Sequence, residues 1–220
     1  MHRASLNPSP HNHPSFLSLA SRDCLPIASP IHLHRYQRRH NKPAPTYEAC
    51  STRQYFHGRT ETIRSCSPEA NAWVRSVLDD QSHEEQREAL AAATKAQGGL
   101  ARSAAGGMGV DRHLLGLSVL ASEGGMTESD EAGKLFKDPI FSHSSTWALS
   151  TSNVSSPWLD LFGFGAVCSH GYGLGYMITD DNIPIHITSW KENADTSTQG
   201  MKGQIVAALE HIQTIMGGEQ

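Results

Sequence analysis

Ser150-Thr151-Ser152 sets three hydroxyls side by side, after Trp147-Ala148-Leu149 and before Asn153-Val154-Ser155-Ser156-Pro157. A hydroxyl both donates and accepts, so such a cluster can hold a substrate oxygen or stabilise a developing oxyanion. Trp147 and Leu149 alternate about Ala148 with the period of a half-buried strand, and Pro157 stops the run. The hydroxyls are therefore expected near a strand end. The plainer alternative is a Ser/Thr turn that closes the strand and binds nothing.

A second set of polar residues stands earlier: Pro45-Thr46-Tyr47-Glu48, Ser51-Thr52-Arg53 and Gly58-Arg59-Thr60-Glu61-Thr62-Ile63-Arg64-Ser65. With Asp111-Arg112-His113-Leu114-Leu115-Gly116-Leu117 between the two sets and Gly171-Tyr172-Gly173-Leu174-Gly175-Tyr176 after them, the ordered series resembles the C-terminal part of a carnitine O-acyltransferase. The acetyltransferases of the choline/carnitine acyltransferase family are the most similar. The resemblance runs from about Tyr36 to the end and rests on spaced motifs in the family's order.

That resemblance implies a fold of class α/β, a mixed sheet flanked by helices, as part of a chloramphenicol-acetyltransferase-like acyltransferase domain. It implies a His general base that deprotonates the carnitine hydroxyl, or the coenzyme A thiol in reverse, for attack on an acyl carbonyl. Ser152 is similar to the oxyanion donor, and Ser150 to a residue that contacts the carnitine carboxylate. Tyr47, Thr60 and Arg112 resemble the rest of the carboxylate site, where Arg112 offers a permanently charged planar fork. Phe164 resembles the ring against the trimethylammonium group, and Phe162 falls where a bulky side chain closes the acyl pocket to all but short chains. Glu48 and Asn153 fall on the coenzyme A side. Coenzyme A is then a co-substrate, with no cofactor and no metal, and the family suggests a monomer. Each residue also has an ordinary reading: Arg112 facing solvent or paired with Asp111, Thr60 as a plain strand residue, Phe164 as core.

Departures from the family pattern are Ala49 in place of a hydroxyl, Ala166 in place of a Pro, His170 in place of an acid, and Gly98-Gly99 inside a helix near coenzyme A. The family's catalytic His precedes an acid-Gly pair by four places, yet the one such pair here, Glu123-Gly124, has Val119 there. The other candidate bases are His57 before Gly58, His113 beside Arg112, and His143 in an expected loop next to Ser144-Ser145. Three readings remain open: a fragment of a carnitine acetyltransferase inactive alone, a catalytically dead carnitine-site binding or regulatory protein, and a choline-type acyltransferase piece.

The elements that must position these groups alternate between sheet and helix. Strands are expected over Thr46 to Phe56 and Thr60 to Arg64, and helices over Ala70 to Leu78, capped by Ser67-Pro68, and from Ser82-His83-Glu84-Glu85 towards Ala105. Asp111 is expected to cap a helix over Arg112 to Ser122, with Leu114, Leu115, Leu117, Val119 and Leu120 as its apolar face. Tyr172 to Thr179 and Ile183 to Trp190 read as a hairpin about Asp180-Asp181-Asn182, with Ile183, Ile185 and Ile187 on one face. A closing helix is expected over Ala194 to Met216, with Ile205, Leu209, Ile212 and Ile215 or Met216 at helical spacing. Strand follows Gly171-x-Gly173-x-Gly175, which excludes a dinucleotide loop.

At 220 residues and a formal net charge of -4 the chain is long enough for a sizeable core and is a poor match for nucleic acid. No apolar run has the length of a membrane span. Cys24, Cys50, Cys66 and Cys168 form no zinc-ligand pattern, and Asn153-Val154-Ser155 is read as a chance glycosylation match. Residues 1–35 are rich in His, Pro and Ser with Asp23 as the one acid, so disorder is expected. The segment is compatible with an organellar transit peptide, although its prolines break the amphipathic helix such a signal needs, and a mispredicted gene start fits equally. Residues 36–220 are read as the acyltransferase part. The compartment is left open, as Gly217-Gly218-Glu219-Gln220 is not an S-K-L address.

Overall fold

The computed structural model describes residues 3–4, 36, 43–125, 130–179 and 182–217. The expected disorder of residues 1–35 and the Asp180-Asp181 part of the hairpin turn fall outside these, apart from Arg3–Ala4. The described strands are β1 (Arg3–Ala4), β2 (Thr46–Ser51), β3 (Thr60–Ile63), β4 (Leu149–Asn153), β5 (Tyr172–Tyr176) and β6 (Ile185–Ser189). They form one sheet in the order β1-β6-β5-β4-β2-β3. β4 is parallel to both β2 and β5, while the pairs β2/β3, β5/β6 and β1/β6 are antiparallel. The architecture is α/β with a mixed sheet flanked by helices, consistent with a chloramphenicol-acetyltransferase-like domain.

The register sorts the chemistry. Tyr47 pairs with Ser150, Ser150 with Gly173, and Gly173 with Thr188. The next row on the same face runs from Ser152 through Gly175 to His186. Side chains alternate along a strand, so Glu48, Thr151, Leu149, Leu174 and Tyr176 point to the opposite face. That second face holds the core. Leu149 and Leu174 are fully buried there in one cluster with Trp73, Val74, Leu90, Met201, Ile205 and Ile212 from the covering helices.

Those helices are α1 (Pro68–Leu78), α2 (His83–Ala105) and α6 (Thr198–Ile215). Each begins at a side-chain cap that satisfies an orphan backbone N–H. The Ser67 hydroxyl accepts from Ala70 N, Ser197 from Gly200 N, and Ser82 with Glu85 forms a reciprocal capping box. Gly98-Gly99 lies inside α2 without interrupting it.

Several expectations are corrected. The strand begins at Leu149 instead of Trp147, and it ends at Asn153, so the three hydroxyls do fall near the end of a strand, β4, that lies inside the sheet between β2 and β5. Trp147 precedes the strand, and its ring packs on Tyr47 with centroids 4.3 Å apart. Helix α3 (Asp111–Glu123) has Val110 at its N-cap and no side-chain cap bond. Asp111 does not cap because its carboxylate is taken by Arg64, whose Nε donates to Oδ2 at 2.9 Å. The expected apolar face of α3 is largely solvent-exposed, with Leu115, Leu117, Val119 and Leu120 all among the exposed large hydrophobics. His143 lies in a short helix, α5 (Pro139–Ser144), and not in a loop; α5 follows α4 (Glu131–Lys137), and both helices went unread in the sequence.

Leu174 has no exposed surface, so Leu174→Ala leaves a cavity beneath β5. The variant is expected to lose about 2–5 kcal/mol of unfolding free energy, read from urea denaturation followed by circular dichroism.

Candidate functional site

Arg112 stands in the first turn of α3, where it overlies β2 and β3. Its Nη2 donates to Tyr47 Oη at 3.3 Å, and its Nε donates to the Thr60 carbonyl at 3.3 Å. Its backbone N–H donates to Glu61 Oε1 at 3.4 Å, and the same oxygen accepts from Thr62 N at 2.7 Å. The approach depends on Gly109: a Cβ there would lie 2.3 Å from Glu61 Cγ. Among the described residues the ion pairs are Arg64–Asp111 and Lys134–Glu131. The half-buried Arg112 guanidinium is thus met by the neutral oxygens of Tyr47 and Thr60, a setting suited to an incoming carboxylate.

Ser150 is buried beside Tyr47 in the register, and Ser152 is half-buried one row along. The segment from Phe162 to Ala166 crosses β5 and β6 on this face as a strap. Thr188 Oγ1 donates to the Phe164 carbonyl at 2.8 Å, and Trp190 Nε1 donates to the Ala166 carbonyl at 3.1 Å. Gly173 and Gly175 make the crossing feasible, since Cβ atoms there would lie 3.0 Å from Phe164 O and 2.8 Å from Phe162 O. The Phe162 and Phe164 rings are stacked with centroids 6.5 Å apart. The strap thus sets the Phe162 ring against Gly175, the register neighbour of Ser152, while the Arg112 guanidinium meets Tyr47 on the β2 side of the same face.

The structure brings Tyr47, Thr60, Arg112, Ser150, Ser152, Phe162 and Phe164 to one face of the sheet. It does not bring Glu48 or Asn153 there. Glu48 is fully buried on the helix side, where Tyr176 Oη donates to Oε1 at 2.6 Å and Thr151 Oγ1 to Oε2 at 3.1 Å. Alternation alone separates positions 47 and 48. Asn153 Oδ1 accepts from Ser155 N at 3.0 Å and Ser155 Oγ at 2.9 Å, closing the turn after β4. His57, His113 and His143 are all exposed, and His57 adopts φ 55° edge-on to Phe56.

Two contributors went unread in the sequence. His186 is the one strand histidine among the described residues, and it lies on the Ser152 face under Gly163. The alternation of Ile183, Ile185 and Ile187 was signal enough, because it sends His186 and Thr188 to the other side. Arg64 is the second: besides Asp111, its Nη1 donates to the Thr46 carbonyl at 3.3 Å and also to the Ser144 carbonyl. Spacing carries no trace of such long-range partners.

Among the described residues there is no group of three or more His, Cys, Asp or Glu able to hold a metal ion. None of their helices is long and apolar enough to cross a membrane.

Residues 34–207 match the family model described as Choline/Carnitine o-acyltransferase. The mitochondrial carnitine O-acetyltransferase of Saccharomyces cerevisiae is 37% identical over 169 residues, covering 76% of this chain and 25% of that protein. The peroxisomal carnitine O-octanoyltransferase of Rattus norvegicus is 36% identical over 187 residues, covering 82% of this chain and 29% of that protein. The mitochondrial carnitine O-palmitoyltransferase 2 of Homo sapiens is 35% identical over 158 residues, with 70% and 23% covered. The chain thus spans about a quarter of the length of the curated relatives it matches.

Burial, then the charge of Glu48 and its hydrogen bond, push the Tyr176 phenol well above the ordinary tyrosine value of 10.0. A raised folded-state value means that this contribution to stability is complete below about pH 10 and is lost as pH climbs towards the folded value, because the unfolded chain ionises first. The urea midpoint should therefore fall above about pH 10, and Tyr176→Phe should fall less steeply over the same range.

Proposed function

We propose, from the premise that the chain belongs to the choline/carnitine O-acyltransferase family, that its Arg112 face is a carnitine site and that the parent enzyme exchanges a short acyl group between coenzyme A and carnitine. The observation that carries this reading is the meeting of Arg112 with Tyr47 and Thr60, residues 65 and 52 positions away in sequence. Arg112 would take the carnitine carboxylate with the Tyr47, Thr60 and Ser150 hydroxyls as neutral donors beside it. Phe164 would present a ring to the trimethylammonium group.

In transfer to carnitine, a general base takes the proton of the carnitine hydroxyl as its oxygen bonds to the acyl carbonyl carbon. The carbonyl oxygen becomes an oxyanion held by the Ser152 hydroxyl. Collapse breaks the carbon–sulfur bond, and the departing thiolate of coenzyme A receives the proton. Coenzyme A enters as a co-substrate and leaves as product, so no cofactor is needed. Phe162, with its ring across Gly175, would limit the acyl group to short chains.

The 220 residues contain no His four places before an acid-Gly pair, and His57, His113 and His143 are exposed. This chain alone therefore supplies substrate-binding and oxyanion groups without the family's proton acceptor. A general base contributes roughly 10²–10⁴-fold, so purified protein with acetyl-coenzyme A and carnitine is expected to show no turnover above buffer. Robust turnover abolished by substituting His57, His113 or His143 would overturn this.

A choline-type site is the alternative, and the half-buried Arg112 cation favours carnitine, since choline offers it no carboxylate. Isothermal titration calorimetry should detect L-carnitine in preference to choline. Arg112→Asn should weaken L-carnitine by about 10–100-fold, the worth of a charge-assisted hydrogen bond. Equal loss for both ligands, or no carnitine binding by the unaltered chain, would overturn the reading.

A further inference from the structure

His186 performs no step in the chemistry above, yet it lies on the site's face of the sheet. The row Ser152, Gly175, His186 runs across three neighbouring strands, which sets His186 about 10 Å from Ser152 at two interstrand spacings. Between them Gly175 contributes no side chain, and the Phe162 ring fills the space: a Cβ on Gly175 would lie 3.3 Å from Phe162 Cε2. Directly above His186 is Gly163. A Cβ at Gly163 would lie 1.4 Å from His186 Nδ1 and 2.5 Å from Cγ, so the strap backbone rests on the imidazole itself.

The strap's other ties are all further along. Thr188 holds the Phe164 carbonyl and Trp190 holds the Ala166 carbonyl. Residues 162 and 163 are held by packing instead: on the Gly175 backbone, through the Phe162 ring on Phe164, and at Gly163 on the His186 imidazole. Of these supports, only His186 stands on the β6 side, in the path along which Phe162 would retreat from Ser152.

We propose that His186 is a specificity-determining positioning residue: seated against Gly163, it props Phe162 over Gly175 and so sets the length of acyl group that fits beside Ser152. The inference rests on the carnitine-site reading given above. A smaller residue at 186 lets Gly163 and Phe162 settle towards β6 and opens room above Gly175. An apolar acyl chain gains that room, while the carnitine moiety keeps Arg112 on the far side of β4 and keeps Phe164, whose carbonyl stays tied to Thr188.

The test is calorimetric binding of acetylcarnitine, octanoylcarnitine and L-carnitine to the full chain, unaltered and as His186→Ala and His186→Asn. Both variants should raise the octanoyl-to-acetyl affinity ratio, by about tenfold for His186→Ala, the scale of a methylene in an apolar pocket, with L-carnitine affinity unchanged. Circular dichroism identifies a variant that fails to fold, and the other then decides. Unchanged ratios with carnitine binding intact would overturn the role of His186 alone. Loss of carnitine binding in folded variants would overturn it too, by making His186 a general support. Absence of carnitine binding by the unaltered chain would overturn the underlying site reading together with this one.

Discussion

A fully buried carboxylate sits at the centre of the sheet. Glu48 on β2 accepts from Thr151 on β4 and from Tyr176 on β5, so three adjacent strands converge on one buried carboxyl group. A carboxylate in such surroundings without donors would cost several kcal/mol, which makes its partners a strong constraint on register. A slip of one residue in β2 would carry Glu48 to the open face and Tyr47 into the core. With the register held, Tyr47, Ser150 and Gly173 fall in one row. The polar site is therefore fixed from behind, through a side chain that does not enter it.

The open face is built by subtraction as much as by addition. Gly173 and Gly175 leave two gaps in the face of β5, and the strap from Phe162 to Ala166 lies in them. Side chains at either position would collide with the strap carbonyls, lifting both phenyl rings away from the hydroxyl row. The repeated glycines thus serve close backbone approach, the use their spacing shares with nucleotide loops, applied here to a strand and a crossing segment.

Local signals foretold most of the elements. Ser67-Pro68 and Ser82 with Glu85 carry their own capping chemistry within three residues, and the helices start where those residues put them. Asp111 misled because the same side chain serves equally as a cap or as a partner for a distant cation, and Arg64, 47 residues earlier, claims it. The α3 stripe misled for a related reason: apolar spacing states which face is oily, and not what covers it. The grouping of Tyr47, Thr60, Arg112, Ser150 and Ser152 was legible only through the resemblance. Their proximity arises from strand order, which no local pattern encodes. His186 was legible from alternation alone, once its isoleucine neighbours were assigned to the core.

Arg64 explains how the site can stand before any ligand arrives. Its guanidinium joins the start of β2 through the Thr46 carbonyl, the end of α5 through the Ser144 carbonyl, and the first residue of α3 through Asp111. Helix α3 is therefore tied to the sheet at its N-terminus, with Glu61 receiving the next backbone N–H. Both ties belong to residues other than the Arg112 side chain. Arg112 is consequently delivered to Tyr47 and Thr60 by its backbone, and its guanidinium has little freedom left to lose when a carboxylate binds. A long cationic side chain on an exposed helix would give up much of its rotamer entropy on binding. Here part of that entropy is already lost in folding, because the Arg112 guanidinium rests on Tyr47 Oη and the Thr60 carbonyl while Arg64 holds the start of its helix.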